Sequence, residues 1–228
     1  MQKPVQGGPS KDRPLILAPQ PKNRTIVNID GFNLYYGAVK GTPWKWLDLA
    51  KFFSLIRPAD DIQCIRYFTA MVNGPTKPDQ EVYLKALATT PLVELVLGNF
   101  KKKRVECKLS ACTYVGDRFF NTWEEKRTDV NVAVYMLDDA YQDRCDNFVL
   151  VSGDSDLVPP IRMIRHRFPN KRIYVYVPAQ HPTRSHAVEL RASAHINRNL
   201  PLNLLKPAQF PNPLPDGSGG LLNKPAAW

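Results

Sequence analysis

Residues 147–168 read NFVLVSGDSDLVPPIRMIRHRF, and the parsing of this stretch decides the fold. NFVLVS (147–152) is a short apolar run without polar alternation, as expected of a strand buried on both faces of a parallel sheet. LVPPIRMIRHRF (157–168) carries helix-period apolar spacing, with Pro159 and Pro160 at or near the first turn, where a missing N–H costs least. Between them Gly153, Asp154, Ser155 and Asp156 form a loop joining the carboxyl end of a strand to the N-terminus of a helix. Helix capping explains one of the two carboxylates. The second needs another reason.

Working outward, the same alternation continues in both directions. Short apolar runs such as TIVNI (25–29), IQCIRYFTAMV (62–72), LVELVLG (92–98) and RIYVYVP (172–178) are interleaved with helix-period segments WLDLAKFFSLI (46–56), DQEVYLKALA (79–88) and DVNVAVYMLDDAY (129–141). Strand and helix in alternation imply an α/β domain of three layers, helices on both faces of a mainly parallel sheet. The last of these helices starts at Asp129, with Thr128 as its expected N-cap.

The 228 residues with 43% apolar content suit one domain with extensions. Residues 1–23 and 206–228 are rich in Pro and polar groups and are expected to be flexible tails around a domain at 24–205, suited to a protein partner. Lys and Arg outnumber Asp and Glu 31 to 21, a formal charge of +10 that suits either a polyanionic partner or solubility alone. No apolar run approaches the roughly 20 residues of a spanning helix, and MQKPVQGGPSKDRP lacks a signal peptide's apolar region, so a cytoplasmic protein without a membrane partner is expected. Cys64, Cys107, Cys112 and Cys145 are too few and too irregular for a disulfide scaffold, and reduced thiols are expected.

In a parallel sheet, binding groups gather beyond the carboxyl ends of the strands. TIVNI ends at Asp30 and NFVLVS leads into Asp154; adjacent strands would bring the two to one edge, with Asp129 beginning a nearby helix. Crowded carboxylates repel one another, and a cation is the usual remedy. Mg²⁺ and Mn²⁺ prefer oxygen ligands and keep several waters, so a few aspartates and a substrate phosphate complete the shell. A phosphoester is then a natural substrate. Asp156 is read either as a further ligand or as the helix cap.

IDGFNLYY (29–36), EEKRTDVNVAVYML (124–137) and VSGDSDLVPPIRMI (151–164), in that order, resemble the NYN-domain proteins, a branch of the PIN-like nuclease superfamily. The resemblance covers roughly residues 24–200 and implies a metal-dependent ribonuclease. It makes Asp30, Asp129, Asp154 and Asp156 the expected catalytic and metal-binding acids. Asn33 stands at the amide of the family's DGFN motif, orienting Asp30 or a water, or else bonding within its own turn. Ser152 supports the site or simply completes its strand end. Many relatives carry an acid six residues after the TDV aspartate, where this chain has Tyr135; this questions a full second metal site. Asp138 lies off that face by about 60°, and Glu124 and Glu125 either compensate or favour the helix dipole. CKLSAC (107–112) occupies the place of a cysteine-bearing insertion in relatives and reads as a reduced surface hairpin rather than a zinc site, which needs four ligands.

Single-stranded RNA is the expected partner. Lys101, Lys102, Lys103 and Arg104 follow LVELVLG as a basic loop on the acidic edge, and Arg162, Arg165, Arg167, Lys171, Arg172, Arg184 and Arg191 could add phosphate contacts. Tyr35, Tyr36, Trp44, Trp46 and Trp123 could stack on bases or pack in the core. His166, His181, His186 and His195 have no metal-ligand spacing. Two alternatives stand beside the ribonuclease: a non-catalytic RNA- or protein-binding module, and a phosphatase acting on small phosphoesters.

Overall fold

The structure is a computed structural model that describes residues 23–180 and 187–228, so the expected N-terminal extension, apart from Asn23, and His181, Arg184 and His186 lie outside the described residues. In chain order the elements are β1 (Arg24–Asp30), α1 (Gly31–Leu34), α2 (Leu49–Ile56), β2 (Asp61–Thr69), α3 (Lys77–Ala88), β3 (Val93–Leu97), β4 (Asn99–Glu106) and β5 (Phe119–Lys126). They continue with α4 (Thr128–Tyr141), β6 (Asn147–Val151), α5 (Val158–Arg167), β7 (Arg172–Val177), α6 (Val188–Ser193), β8 (Ile196–Asn199), β9 (Leu214–Pro215) and β10 (Leu221–Leu222).

Six strands, in the order β3-β2-β1-β6-β7-β8, form one parallel sheet. The period of two along each strand divides its side chains between two cores. Val27, Ile29, Val149 and Val151 face Phe52, Phe53, Tyr83 and Leu87 of α2 and α3. Ile26, Phe148, Leu150 and Val175 face Met136, Ile161, Ile164 and Leu190 of α4, α5 and α6. Every residue of β6 is buried, which is why NFVLV shows no polar alternation. The result is the expected three-layer α/β/α fold with a parallel central sheet. None of the described helices is long and apolar enough to cross a membrane.

Two regions differ from the expectation. Residues 206–228 are packed onto the domain: Ala208 is fully buried, Phe210 and Leu214 are nearly so, and Trp228 lies 5.3 Å from the Tyr83 ring and 6.5 Å from the Trp46 ring, centroid to centroid. A Pro-rich segment cannot satisfy its own backbone, and this one pairs instead with residues 46–48: Phe210 N–H donates to the Trp46 carbonyl (2.9 Å), Asp48 N–H to that of Ala208 (2.9 Å), and the Trp46 indole to that of Pro211 (3.0 Å). Trp46, only 1% exposed, is therefore core and closed to a base. The second difference is the basic run. Lys101–Arg104 is no loop but the middle of β4, which pairs antiparallel with β5. CKLSAC falls in the connection, where Cys107 N–H donates to the Arg118 carbonyl (2.8 Å).

Candidate metal centre

The site grows from the end of β1. Asp30 is the last residue of the strand and also caps α1: its Oδ1 accepts the Asn33 N–H (3.0 Å). Its Oδ2 accepts from Asn33 Nδ2 (2.5 Å) and from the buried Ser152 hydroxyl (3.1 Å). Ser152 Oγ in turn accepts the Asp154 N–H (3.0 Å), and Asn33 Oδ1 accepts that of Gly153 (3.1 Å). Asp30, Asn33 and Ser152 thus lock the first β-strand end to the loop after β6. Gly31 allows the close approach, since a Cβ there would stand 2.7 Å from the Phe68 carbonyl oxygen and from the Tyr67 ring.

Asp154 Oδ1 accepts the Asp156 N–H (2.9 Å), so Asp154 is the cap of the short turn Ser155–Leu157 that leads into α5. The Asp156 carboxylate is thereby left free for another role. Asp129 comes from the first turn of α4. That helix is not capped by Thr128, its first residue; the preceding residue, Arg127, has φ 82°, and the Glu125 carboxylate accepts both the Thr128 N–H and its hydroxyl. Glu125 is committed to this helix end, while Glu124 pairs with Lys103 and Lys126.

Asp129, Asp154 and Asp156 each bring one carboxylate oxygen within 4.8 Å of the others. Asp30 lies deeper, 4% exposed and engaged by Asn33 and Ser152, so the four acids separate into an open trio and one buried support. Among the described residues no Lys, Arg or His pairs with any of the four. The electrostatics follow. Burial pushes the Asp129 carboxyl up to about 6, and Asp30, Asp154, Glu125 and Asp156 reinforce it. Burial also raises Asp30, against the Asn33 and Ser152 hydrogen bonds that hold it down. Hard oxygen donors at this spacing, repelling one another without a protein cation, fit a hard divalent ion. A groove of about 530 Å³ bordered by Glu124, Arg127, Asp129, Asp156 and Pro159 opens onto two of the trio, Asp129 and Asp156.

The remaining candidates divide by position. Tyr135 packs edge-on against Phe68 (5.7 Å) and lies under the Arg66 guanidinium (4.9 Å), so the place of the relatives' additional acid is built into packing. Asp138 bonds Gln142 and Arg144. Arg162 pairs with Glu189, and Arg165, in the last turn of α5 and far from the helix start, donates to the Ser193 carbonyl (2.6 Å). Lys171, largely buried, is held by Asp143 and the Cys145 carbonyl before β7, and Arg172 opens β7; both sit at the edge opposite the acids. Arg191 bonds Asn197 and Asn199. Sequence reasoning missed the face of the β4–β5 ribbon. Lys102 pairs with Trp123 and Arg104 with Asn121, and the Arg104 guanidinium lies 4.3 Å above the Phe119 ring. Phe119 and Trp123 are exposed, and Phe100, on the same face by alternation, touches Phe32 (5.7 Å) just past Asp30.

The family model of the NYN domain matches residues 24–198. Among individual proteins, the chain is similar to the 6-hydroxy-3-succinoylpyridine 3-monooxygenase HspA of Pseudomonas putida, 29% identical over 242 residues that span 90% of this chain and 75% of that protein. Among solved structures it is similar in fold to a protein of unknown function from Vibrio parahaemolyticus, with a TM-score of 0.50, 18% identity, and coverage of 81% of this chain and 96% of that one.

Proposed function

Because the chain belongs to the NYN-domain family of the PIN-like nuclease superfamily, we propose that it hydrolyses phosphodiester bonds of single-stranded RNA at a divalent cation, Mg²⁺ or Mn²⁺, held by Asp129, Asp154 and Asp156. The observation that carries this reading is the convergence of three carboxylate oxygens within 4.8 Å at the sheet edge. Asp129, Asp154 and Asp156 would hold the cation, which would supply Lewis acidity toward the phosphate and toward water.

The chain's own residues supply the rest. Asp30 positions Asp154 through Ser152, whose hydroxyl bridges the two. Asn33 fixes Asp30 and the Gly153 backbone together. Asp156, the exposed member of the trio, orients the attacking water; its carboxylate accepts no hydrogen bond from the described residues. The β4–β5 ribbon holds the strand, Lys102 and Arg104 meeting phosphates while Phe119 and Trp123 stack on bases. The test is cleavage of single-stranded RNA with Mn²⁺, with excess EDTA, and by Asp154→Asn. Hydrolysis that needs both metal and Asp154 supports the reading, and cleavage of a chromogenic phosphomonoester in preference to RNA would replace it with the phosphatase. Metal binding without turnover of either substrate would favour the non-catalytic module.

A second reading rests on the similarity to a monooxygenase over 90% of this chain. It makes the protein an oxygenase of a hydroxypyridine, and uptake of O₂ with 6-hydroxy-3-succinoylpyridine and a two-electron reductant would support it over RNA hydrolysis.

A further inference from the structure

Lined in part by Gly31, the chain holds a second space of about 310 Å³. Its lining includes Tyr35, Tyr67, Tyr83 and Trp228, with Lys40 and Lys45 among the border residues. None of these residues takes part in the proposed hydrolysis. The volume lies at the small end of ligand sites and accommodates one or two rings.

The walls are built rather than accidental. Tyr83 is fixed by its hydroxyl, which donates to the Leu47 carbonyl (3.0 Å), and its ring meets those of Tyr67 (6.2 Å) and Trp228 (5.3 Å). Gln80 is held at both ends of its amide, by the Val72 N–H (2.7 Å) and the Ala70 carbonyl (2.9 Å). The backbone next to Trp228 is tied down, since Lys45 Nζ donates to the Ala227 carbonyl (3.3 Å). Tyr67 is 7% exposed, and its hydroxyl makes no hydrogen bond with any described residue; it lines the cavity beside Gly31. A ligand acceptor in the cavity would take a hydrogen bond from this hydroxyl. Rigid aromatic walls favour a flat π-surface, and the lysines favour an anion. Asp79, also in the lining, offers an acceptor to a ring N–H or hydroxyl.

We propose that this cavity binds a planar aromatic or heteroaromatic ring that carries one anionic arm, the ring lying among Tyr35, Tyr67, Tyr83 and Trp228 and the arm reaching Lys40 or Lys45. A free aromatic carboxylate and a nucleotide both present this chemistry. The site does not depend on hydrolysis, and the experiment is done on the full chain bearing Asp154→Asn so that probes are not consumed. Calorimetric titrations use benzoate, pyridine-3-carboxylate, adenosine 5′-monophosphate, uridine 5′-monophosphate and neutral benzyl alcohol. The expected result is saturable binding of at least one anionic probe, about 10-fold weaker for benzyl alcohol and for Lys45→Ala, each equal to the loss of roughly 1.4 kcal/mol. Trp228→Ala should weaken binding by at least as much, and Tyr67→Phe should weaken it several-fold while leaving the fold and the melting temperature in place. Preference for the carboxylates assigns the cavity to a free small molecule, and preference for the nucleotides assigns it to a base. No saturable binding by any anionic probe, or binding unchanged in both Lys45→Ala and Tyr67→Phe, overturns the proposal.

Discussion

The two edges of the sheet treat their acids in opposite ways. At the edge where the strands begin, three aspartates have a cation: Asp60 with Arg57 (2.8 Å), Asp146 with Arg24 (2.8 Å) and Asp143 with Lys171 (2.6 Å). The Lys171 hydrogen bond holds the Asp143 carboxyl below its ordinary range, and the Arg24 hydrogen bond does the same for Asp146. Asp139, fully buried at the far end of α4, is forked by Arg66 and met again by Arg144. At the edge where the strands end, Asp30 and Asp129 are pushed upward, and no described cation pairs with them or with Asp154 and Asp156. The same residue type thus serves structure at one edge and leaves charge uncompensated at the other. The chain carries 31 Lys and Arg against 21 acids, so cations are abundant; that none of those described pairs with these four acids is what a site for an external cation requires.

Exchanging an acid for its amide should therefore have opposite consequences at the two edges. With Mn²⁺ present, Asp154→Asn should reduce RNA hydrolysis by more than the roughly 10–100-fold that loss of a ligand's hydrogen-bonding partner costs. Its metal-free melting temperature should stay level or rise, as one of several repelling charges is gone. A drop of several degrees in that scan would class Asp154 with the structural acids. Asp139→Asn should do the reverse, destabilising the fold by up to about 3–5 kcal/mol in urea because Arg66 loses its buried charge partner and keeps only the half-exposed Glu94, while Mn²⁺ affinity per folded molecule is unchanged. A loss of metal affinity in that variant would erase the distinction between the edges.

The pH dependence sharpens the contrast. Asp129 has its carboxyl raised to about 6, so between about pH 4 and 6 the folded chain keeps a proton that the unfolded chain has released. Its contribution to metal-free stability falls as pH rises through that window, the reverse of the behaviour expected for Asp143 and Asp146. A shift of this size corresponds to about 3 kcal/mol for a group out of water, and half-buried Asp129 keeps a fraction, about 1 kcal/mol. Denaturant titrations of the metal-free chain and of Asp129→Asn at pH 4.5 and 7 measure the difference, which should shrink in the variant.

The smallest effect concerns the ribbon. Replacing Lys102 and Arg104 by Ala should flatten the dependence of log affinity for single-stranded RNA on log salt by about 0.7 per contact. Binding measured in the Asp154→Asn background from low to high salt decides it, and an unchanged slope and affinity would move the RNA path off the ribbon.

What the sequence made legible was local. Strands such as NFVLV announce themselves through continuous apolarity, and a parallel sheet then brings their ends together, so Asp30, Asp129, Asp154 and Asp156 could be grouped before any geometry was known. The division of those four into an open trio and a buried support was not legible, because it depends on Asn33 and Ser152 reaching Asp30 from different segments. The basic run was mistaken for a loop because β4 is exposed through Lys101–Arg104, and a ribbon open on both faces has no hydrophobic period to read. The tail at 206–228 was misread for a related reason. Its Pro and Gly exclude regular structure, yet Ala208, Phe210, Leu214 and Trp228 find their partners some 160 residues earlier in sequence, around Trp46 and Tyr83. Composition carries no trace of such pairing.

The measurement that tests the central claim most directly is the anomalous difference map of a crystal of the full chain soaked in Mn²⁺. The account predicts a peak bounded by Asp129, Asp154 and Asp156, with Asp30 behind it, and no peak at that position in Asp154→Asn. An ion bound elsewhere, or an edge that stays empty at millimolar Mn²⁺ while Asp129 and Asp156 turn outward, would contradict it.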